Sequence, residues 1–304
     1  MIAALPAGFA IRAPTWDDVD AATEVLVADE DAARGSVNWD AGDTRDWFSS
    51  TDLEHNAWAV ETAGRMAAVG SMTVRGENFD GWLVVHPDFT RRGIGSALIG
   101  IAESCARELG APSLRLGTLA ENTAGRALLE RKGYRDVRHF FQMQIDLGGP
   151  PPEPRWPDGI NVEPFDLEHA RALHAAMNDA FAGQWSFHPR PFDEWAKHRL
   201  EAEDFDPTLW FVAREGDEIA GAVLGTAKRW GTPHVALLGV RDRWRRRGLG
   251  LALLHQSFCE FYRRGERTVG LGVDAQNPTG ATQLYERAGM YVHTEDVVYE
   301  RELT

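Results

Sequence analysis

The chain has 304 residues, 43% hydrophobic and 26% charged, with 46 acidic against 32 basic side chains and a formal net charge of −14. That is room for two folded domains of ordinary composition, and the acidity excludes the nucleic-acid and anionic-membrane partners that select for basic surface, while suiting a cationic small molecule such as an amine. No run approaches the roughly 18 apolar residues of a membrane span, the N-terminus lacks the basic start and long apolar core of a signal peptide, and Cys105 and Cys259 make no disulfide framework, so a cytoplasmic protein with two buried structural thiols and no metal is expected.

In chain order, "IRAPTWDDVDAA" (11–22) reads as an extended segment entering a helix, followed by a variable, acidic, Trp-containing stretch. Strands are predicted around 57–61, 66–75 and 82–86. A turn, Thr90-Arg91-Arg92-Gly93-Ile94-Gly95, opens a helix in which Ile94, Leu98, Ile101, Cys105 and Leu109 share one face. Gly110 ends that helix. A short strand at 114–116 comes next, then a helix from Asn122-Thr123 to Gly133. The last strand alternates Phe141, Met143 and Ile145 with Gln142 and Gln144. "GGPPPEPRWPDG" (148–159) is too rich in proline and glycine for helix or sheet and reads as a linker.

The second half then repeats the first. At an offset of 155, 12 of the 37 residues in 91–127 meet their own type in 246–282, Arg91, Arg92, Gly93, Gly95 and Asn122 among them; chance gives about two or three. One extra residue near Pro278 shifts the later offset to 156. Strands are predicted at 209–214, 218–227 and 234–240, a helix ending at Gly265, a strand at 269–271, and a helix from 277–279 to Gly289. Interleaved strands and helices give a mixed α/β class. The expected organisation is an N-terminal copy (1–147), the linker (148–159) and a C-terminal copy (160–304).

The chemistry concentrates in "GVRDRWRRRGLGLALL" (239–254). A strand ending at Val240 runs through Arg245-Arg246-Arg247-Gly248-Leu249-Gly250 into a helix. The first amides of a helix have no partner within it, and with the helix dipole they form an anion site. Glycines admit a phosphate close to the backbone. The turn is neither a P-loop nor the dinucleotide GxGxxG fingerprint, whose third glycine position is Leu253 here. It resembles motif A of the GNAT superfamily of N-acetyltransferases, Q/R-x-x-G-x-G/A, through Arg245, Gly248 and Gly250. "NPTGATQLYERAGM" (277–290) is similar to a second segment of that family, N-x-x-A-x-x-L-Y-E-x-x-G-F, with one inserted residue. The resemblance covers both copies, as in the tandem members of the superfamily.

The resemblance implies two tandem GNAT folds and transfer of an acetyl group from acetyl-CoA to an amine by direct attack. The pyrophosphate would lie on the amides from Arg245 through Arg246, Arg247, Gly248 and Leu249 to Gly250. The strand before the turn would bulge near Leu238-Gly239, freeing main-chain groups of Leu238 and Val240 for the pantetheine arm and the thioester carbonyl. Asn277 would contact that arm, and Tyr285 would protonate the leaving thiolate. The family's usual Glu base is missing from the strand, which carries His234 instead; a surface role for His234 stands beside the catalytic one. His188, Asp193 and Glu194 are further candidates for the base. Trp185, His188 and Glu194 fall in the region expected to shape the acceptor pocket, where Phe187 and Trp195 are core or lining.

The N-terminal copy departs from the pattern. It keeps Arg91, Arg92, Gly93 and Gly95, and Val85 matches Val240, so a second CoA cradle is expected there. Thr90 stands at the Q/R position, and Leu129, which cannot donate a proton, stands at the place of Tyr285. This copy is therefore expected to be non-catalytic. Three readings remain open at this level: acetylation of a small-metabolite amine, acetylation of protein N-termini or lysines, and acyl-CoA sensing without turnover.

Overall fold

The first half of the chain lays down β1 (Ala10–Arg12), α1 (Val19–Arg34), α2 (Ala41–Ser49), β2 (Ala57–Thr62), β3 (Arg65–Arg75), β4 (Asn78–Val85), α3 (Ile94–Glu108), β5 (Ser113–Leu119), α4 (Thr123–Arg131) and β6 (Arg135–Asp146). The second half repeats that order as β7 (Asn161–Pro164), α5 (Ala170–Phe181), α6 (Phe192–Arg199), β8 (Trp210–Glu215), β9 (Glu218–Arg229), β10 (Thr232–Val240), α7 (Leu249–Arg263), β11 (Thr268–Asp274), α8 (Ala281–Arg287) and β12 (Tyr291–Glu302). The structure is a computed structural model and describes residues 5–202 and 205–303. Residues 203–204, within the stretch expected to shape the acceptor pocket, lie outside the described residues, as do the first four residues and the last. No helix among the described residues is long and apolar enough to cross a membrane.

The compact units do not follow the two sequence copies. One comprises residues 1–139 and 295–304, the other 140–294. In unit one the strand order is β1-β2-β3-β4-β5-β12, antiparallel except for the β4–β5 pair. The closing strand comes from the far end of the chain, with Asp296 opposite Leu119 and Glu302 opposite Ser113. Its Val297, Tyr299 and Leu303 are buried in the core with Leu98, Leu114 and Leu116. Arg126 donates to the Tyr299 hydroxyl at 3.1 Å, and that hydroxyl donates to Glu130 at 3.1 Å. In unit two the order is β6-β11-β10-β9-β8-β7, parallel only between β10 and β11. Here β6 supplies the closing strand, with Asp146 opposite Thr268 and fully buried Met143 opposite Leu271. Each unit therefore takes its sixth strand from the other copy.

The 148–159 segment has no helix or strand, as its prolines dictate, yet it is packed. Trp156 lies against the core of unit two, the Pro152 carbonyl accepts from the Cys259 thiol at 3.7 Å, and the Asp158 carbonyl accepts from Arg247 at 3.2 Å. Two expectations need correction. Cys105 and Cys259 are half-buried rather than buried, and partial burial pushes both thiols up in pKa. Leu109, read as the end of the apolar face of α3, is its C-cap and 53% exposed; the helix ends at Glu108, two residues before the left-handed Gly110.

Candidate active site

The glycine turn of unit two is built from backbone. Arg245 is extended, Arg246 is left-handed at φ +60°, and Gly248 is left-handed at φ +89°. Alternating handedness aims successive amides to one side and makes an anion-binding nest. The amides of Arg246, Arg247, Gly248, Leu249, Gly250 and Leu251 have no hydrogen-bond partner among the described residues; the next one, Ala252, bonds the Gly248 carbonyl at 3.1 Å. Such a run ahead of a helix fits a pyrophosphate. Unit one has the same nest, with Arg91 at φ +58° and Gly93 at φ +90°, and its first bonded amide is Ala97, to Gly93 at 3.0 Å. A non-glycine residue held in that region costs about 1–3 kcal/mol.

The arginines do separate jobs. Arg245 donates to the Val240 carbonyl at 2.9 Å and to the Ala180 carbonyl of α5 at 2.7 Å, and it pairs with Asp242. It braces the turn against strand and helix. Thr90, in its place, reaches only the Pro87 carbonyl at 3.0 Å. Arg247 is held by Glu215 at 3.1 Å. Arg246 is exposed and has no side-chain partner among the described residues, so it is the one free to meet an anion. Gly250 serves packing as well as approach: a Cβ there would lie 3.1 Å from a methyl of Leu284 on α8.

Next to the turn, two strands part. β10 pairs with β11 only at His234–Gly270, while its pairing with β9 continues through Val240–Gly221. The Arg241 amide bonds the Ala220 carbonyl of the β9 side at 3.0 Å. Antiparallel alternation then points the main-chain groups of Leu238 and Val240 away from β9, into the opening. The expected bulge near Leu238-Gly239 is corrected: β10 is irregular between Val235 and Leu237, and Leu238 and Gly239 are in register. Gly239 is a packing glycine, since a Cβ would lie 2.9 Å from the Met177 sulfur and 3.0 Å from the Phe181 ring on α5. In unit one β4 has no bulge against β3, and the Trp82 ring lies over Gly117, 2.4 Å from where a Cβ would stand. The matching Gly272 is exposed.

Tyr285 sits on α8 and is 8% exposed. Burial pushes its phenol up to about 12, so it stays protonated, and its hydroxyl has no hydrogen-bond partner among the described residues. Leu129 of α4 is likewise buried. Asn277 caps a turn rather than the helix: its Oδ1 accepts from the Thr279 amide at 2.9 Å, while Gly280 is the N-cap of α8. The residue inserted at Pro278 moves the cap, because Asn122 in unit one does cap α4, accepting from Gly125 at 2.8 Å. Each asparagine amide also donates to a residue in or just past the first helix of its unit: Asn277 to Gln184, three residues beyond α5, at 3.5 Å and Asn122 to Asp29 of α1 at 3.1 Å. Burial pushes Asp29 up to about 6. Sequence reading passed over both acceptors.

His234 is 4% exposed, which corrects the surface reading. Burial, and then Arg229, lower its pKa to about 3, so the imidazole is neutral. Nδ1 is buried with no partner, a condition in a native interior that calls for an explanation. Among the acceptor candidates, Trp185 packs on Phe140 with ring centroids 6.0 Å apart, and Phe187 packs on Phe181 at 6.0 Å. Trp195 belongs to the core. His188 is exposed, and Glu194 and Asp193 are surface residues of α6 facing Arg190 at 3.7 Å and Arg171 at 3.6 Å. The structure thus gathers Leu238, Val240, the nest and His234 on β10 and the turn after it, and leaves Asp193 and Glu194 in surface ion pairs.

A parallel strand pair opening beside an amide-lined turn fits the acyl-CoA-dependent N-acyltransferases that the sequence resembles. The Acetyltransferase (GNAT) family matches residues 21–134 and 153–290, and the chain belongs to that family, in its tandem form. It is similar to the mycothiol acetyltransferase of Geodermatophilus obscurus, 32% identical with 72% of each chain covered. It is also similar to that of Mycolicibacterium vanbaalenii, 34% identical with 71% of this chain and 72% of the other covered. The crystal structure of a GCN5-related N-acetyltransferase from Sphaerobacter thermophilus superposes with a TM-score of 0.85 at 34% identity, covering 99% of this chain and 97% of that one. A tandem GNAT protein from the clavulanic acid biosynthesis pathway shares the fold, with a TM-score of 0.75 at 16% identity and 97% and 99% coverage.

Proposed function

We propose that this protein transfers acetyl from acetyl-CoA to a primary amine of a small metabolite, with the chemistry confined to unit two. The observation that carries this reading is Tyr285: a buried, protonated phenol with an unengaged hydroxyl, replaced by Leu129 where unit one keeps the same nest. Relatives named mycothiol acetyltransferase support an acceptor in or near mycothiol metabolism. The net charge of −14 suits a cationic acceptor. A sensor without turnover has no use for the retained tyrosine.

In this mechanism the nest holds the pyrophosphate, and the free main-chain groups of Leu238 and Val240 hold the pantetheine arm and polarise the thioester oxygen. The amine nitrogen attacks the carbonyl carbon and forms the C–N bond. Collapse of the tetrahedral intermediate breaks the C–S bond. The nitrogen's surplus proton passes to His234, whose basicity returns when the polar acceptor enters beside the ring and ends its desolvation, and the thiolate takes the Tyr285 proton. Both groups are restored by proton exchange with water. Trp185 and His188 border the acceptor, and unit one is a second, non-catalytic CoA-binding copy through Val85, Arg91, Arg92, Gly93 and Gly95.

Calorimetric titration with acetyl-CoA, paired with kinetics of Tyr285→Phe, tests the reading. Saturable binding and a kcat lowered by about 10²–10⁴-fold with unchanged acetyl-CoA affinity are expected. An unchanged kcat would remove Tyr285 from the chemistry. A stoichiometry of two would show that the nest of unit one also holds CoA.

A further inference from the structure

The hairpin between β9 and β10 turns through two residues, Trp230 and Gly231, closed by the Arg229–Thr232 pair. Both are left-handed, at φ +49° and +79°. Such turns favour Asn-Gly or Gly-Gly at these positions, where a positive φ is easy. Unit one follows that preference: its matching turn begins with Gly76 at φ +60°, closed by Arg75–Asn78. A tryptophan here is held against its own backbone preference, so its side chain has work to do.

The indole stands perpendicular to the His234 ring, with centroids 5.2 Å apart, and the Arg229 guanidinium lies over it at 4.4 Å. On the other side of the imidazole, Gly270 leaves the room it needs: a Cβ there would lie 2.9 Å from Nδ1 and 3.0 Å from the Thr232 hydroxyl. The β9 residue opposite His234 is Thr226. Among the described residues, Arg229 is the charged group that lowers the imidazole pKa, after burial. By strand register, the counterpart of His234 in unit one is Asp80, opposite Arg115 as His234 is opposite Gly270. Asp80 is partly exposed and ion-paired with Arg115 at 3.8 Å. The tryptophan, the glycine opposite and the buried histidine therefore occur together, and only in unit two.

We propose that Trp230 is a positioning residue for the acceptor amine, covering the His234 imidazole at rest and swinging off it so that the amine takes the place of the indole beside the ring. The proposal rests on the reading of His234 as the proton acceptor. The covered imidazole is dry and neutral, with a nitrogen lone pair ready for an N–H donor. Admission of the acceptor then exposes the base in the same movement that orients the amine against it.

The test uses the full-length protein with Trp230→Gly, which restores the residue unit one uses in this turn, and Trp230→Phe as the conservative control. Two quantities are read: the NMR titration of the His234 ring without substrate, and kcat and KM for the acceptor. In Trp230→Gly the ring is expected to titrate upward toward the ordinary value of about 6.5, the acceptor KM to rise about tenfold, and acetyl-CoA affinity to hold. Trp230→Phe should recover most of both. An unmoved titration, or a moved titration with unchanged KM, overturns the proposal. His234→Gln at full rate would instead overturn the underlying reading of the base, which keeps the two failures distinguishable.

Discussion

Units one and two present the same nest beside a parallel strand pair, three residue pairs long in unit one and one in unit two, and differ in almost every side chain that could do chemistry. Tyr285 faces Leu129, Arg245 faces Thr90, and His234 faces an ion-paired Asp80. The Gln142 amide lies 3.3 Å from where a Cβ on Gly272 would stand, whereas the Trp82 ring, at 2.4 Å, covers Gly117. The anion site survives this divergence because it is made of amides and two left-handed residues, which tolerate side-chain change. Acid–base chemistry is held by single side chains and disappears with one substitution. On the proposed function, a duplicated fold loses turnover in one copy while its phosphate cradle stays intact.

The largest effect separates the two units by what closes them. Removing 295–304 takes Val297, Tyr299 and Leu303 from the core of unit one. A single large-to-small change at such sites costs about 2–5 kcal/mol, so the truncated chain is expected to lose the cooperative unfolding transition of unit one. Calorimetry showing an unaltered transition would mean that this strand is dispensable. The second comparison pairs Gly248→Val with Gly93→Val. Both carry a φ near +90°, so both should lower Tm through backbone strain of about 1–2 kcal/mol. Only Gly248→Val should reduce kcat/KM for acetyl-CoA, by about 10²-fold, the scale of a misplaced reacting group; equal losses would show that unit one takes part in turnover.

The smallest effect concerns the residues that accept from the two asparagines. Asp29 rises from 3.8 to about 6 on folding. The folded state holds the proton more tightly, so this group's contribution is fully present below about pH 3.8 and is lost as pH rises through 6. Ionised Asp29 then costs about 3 kcal/mol at most at neutral pH. Asp29→Asn, which brings unit one closer to the neutral Gln184 of unit two, is expected to raise Tm at pH 7 and leave it unchanged near pH 4. Equal gains at both pH values would place the effect in packing instead.

The repeat made the fold legible, since residues such as Arg91, Gly93, Gly95 and Asn122 recur at one offset and fix two copies of one element order. The glycine turn was legible too, because a left-handed turn ahead of a helix needs particular residue types at set spacing. The bulge escaped by two to three residues, because Gly239 reads as a bulge glycine until Met177 and Phe181 are seen against it. Gln184 and Asp29 lie far in sequence from the asparagines that bind them, so no local pattern marks them. Trp230-Gly231 was visible between two strands, but only the φ values and the His234 ring give it meaning. The division into units could not be read at all, because a strand's alternation shows that it has a buried face and not which sheet it completes.

The origin of that sixth strand sets a timetable for synthesis. Ser113 of β5 and Glu300 of β12 are hydrogen-bonded across 187 residues of sequence. At translation rates of about 5–20 residues per second, roughly 10–40 s separate the emergence of the two strands. During that interval β5 lacks its outer neighbour and presents an open strand edge to sister chains on the same message. Slowing elongation beyond residue 147 is therefore expected to lower soluble yield even though no residue of the protein has changed.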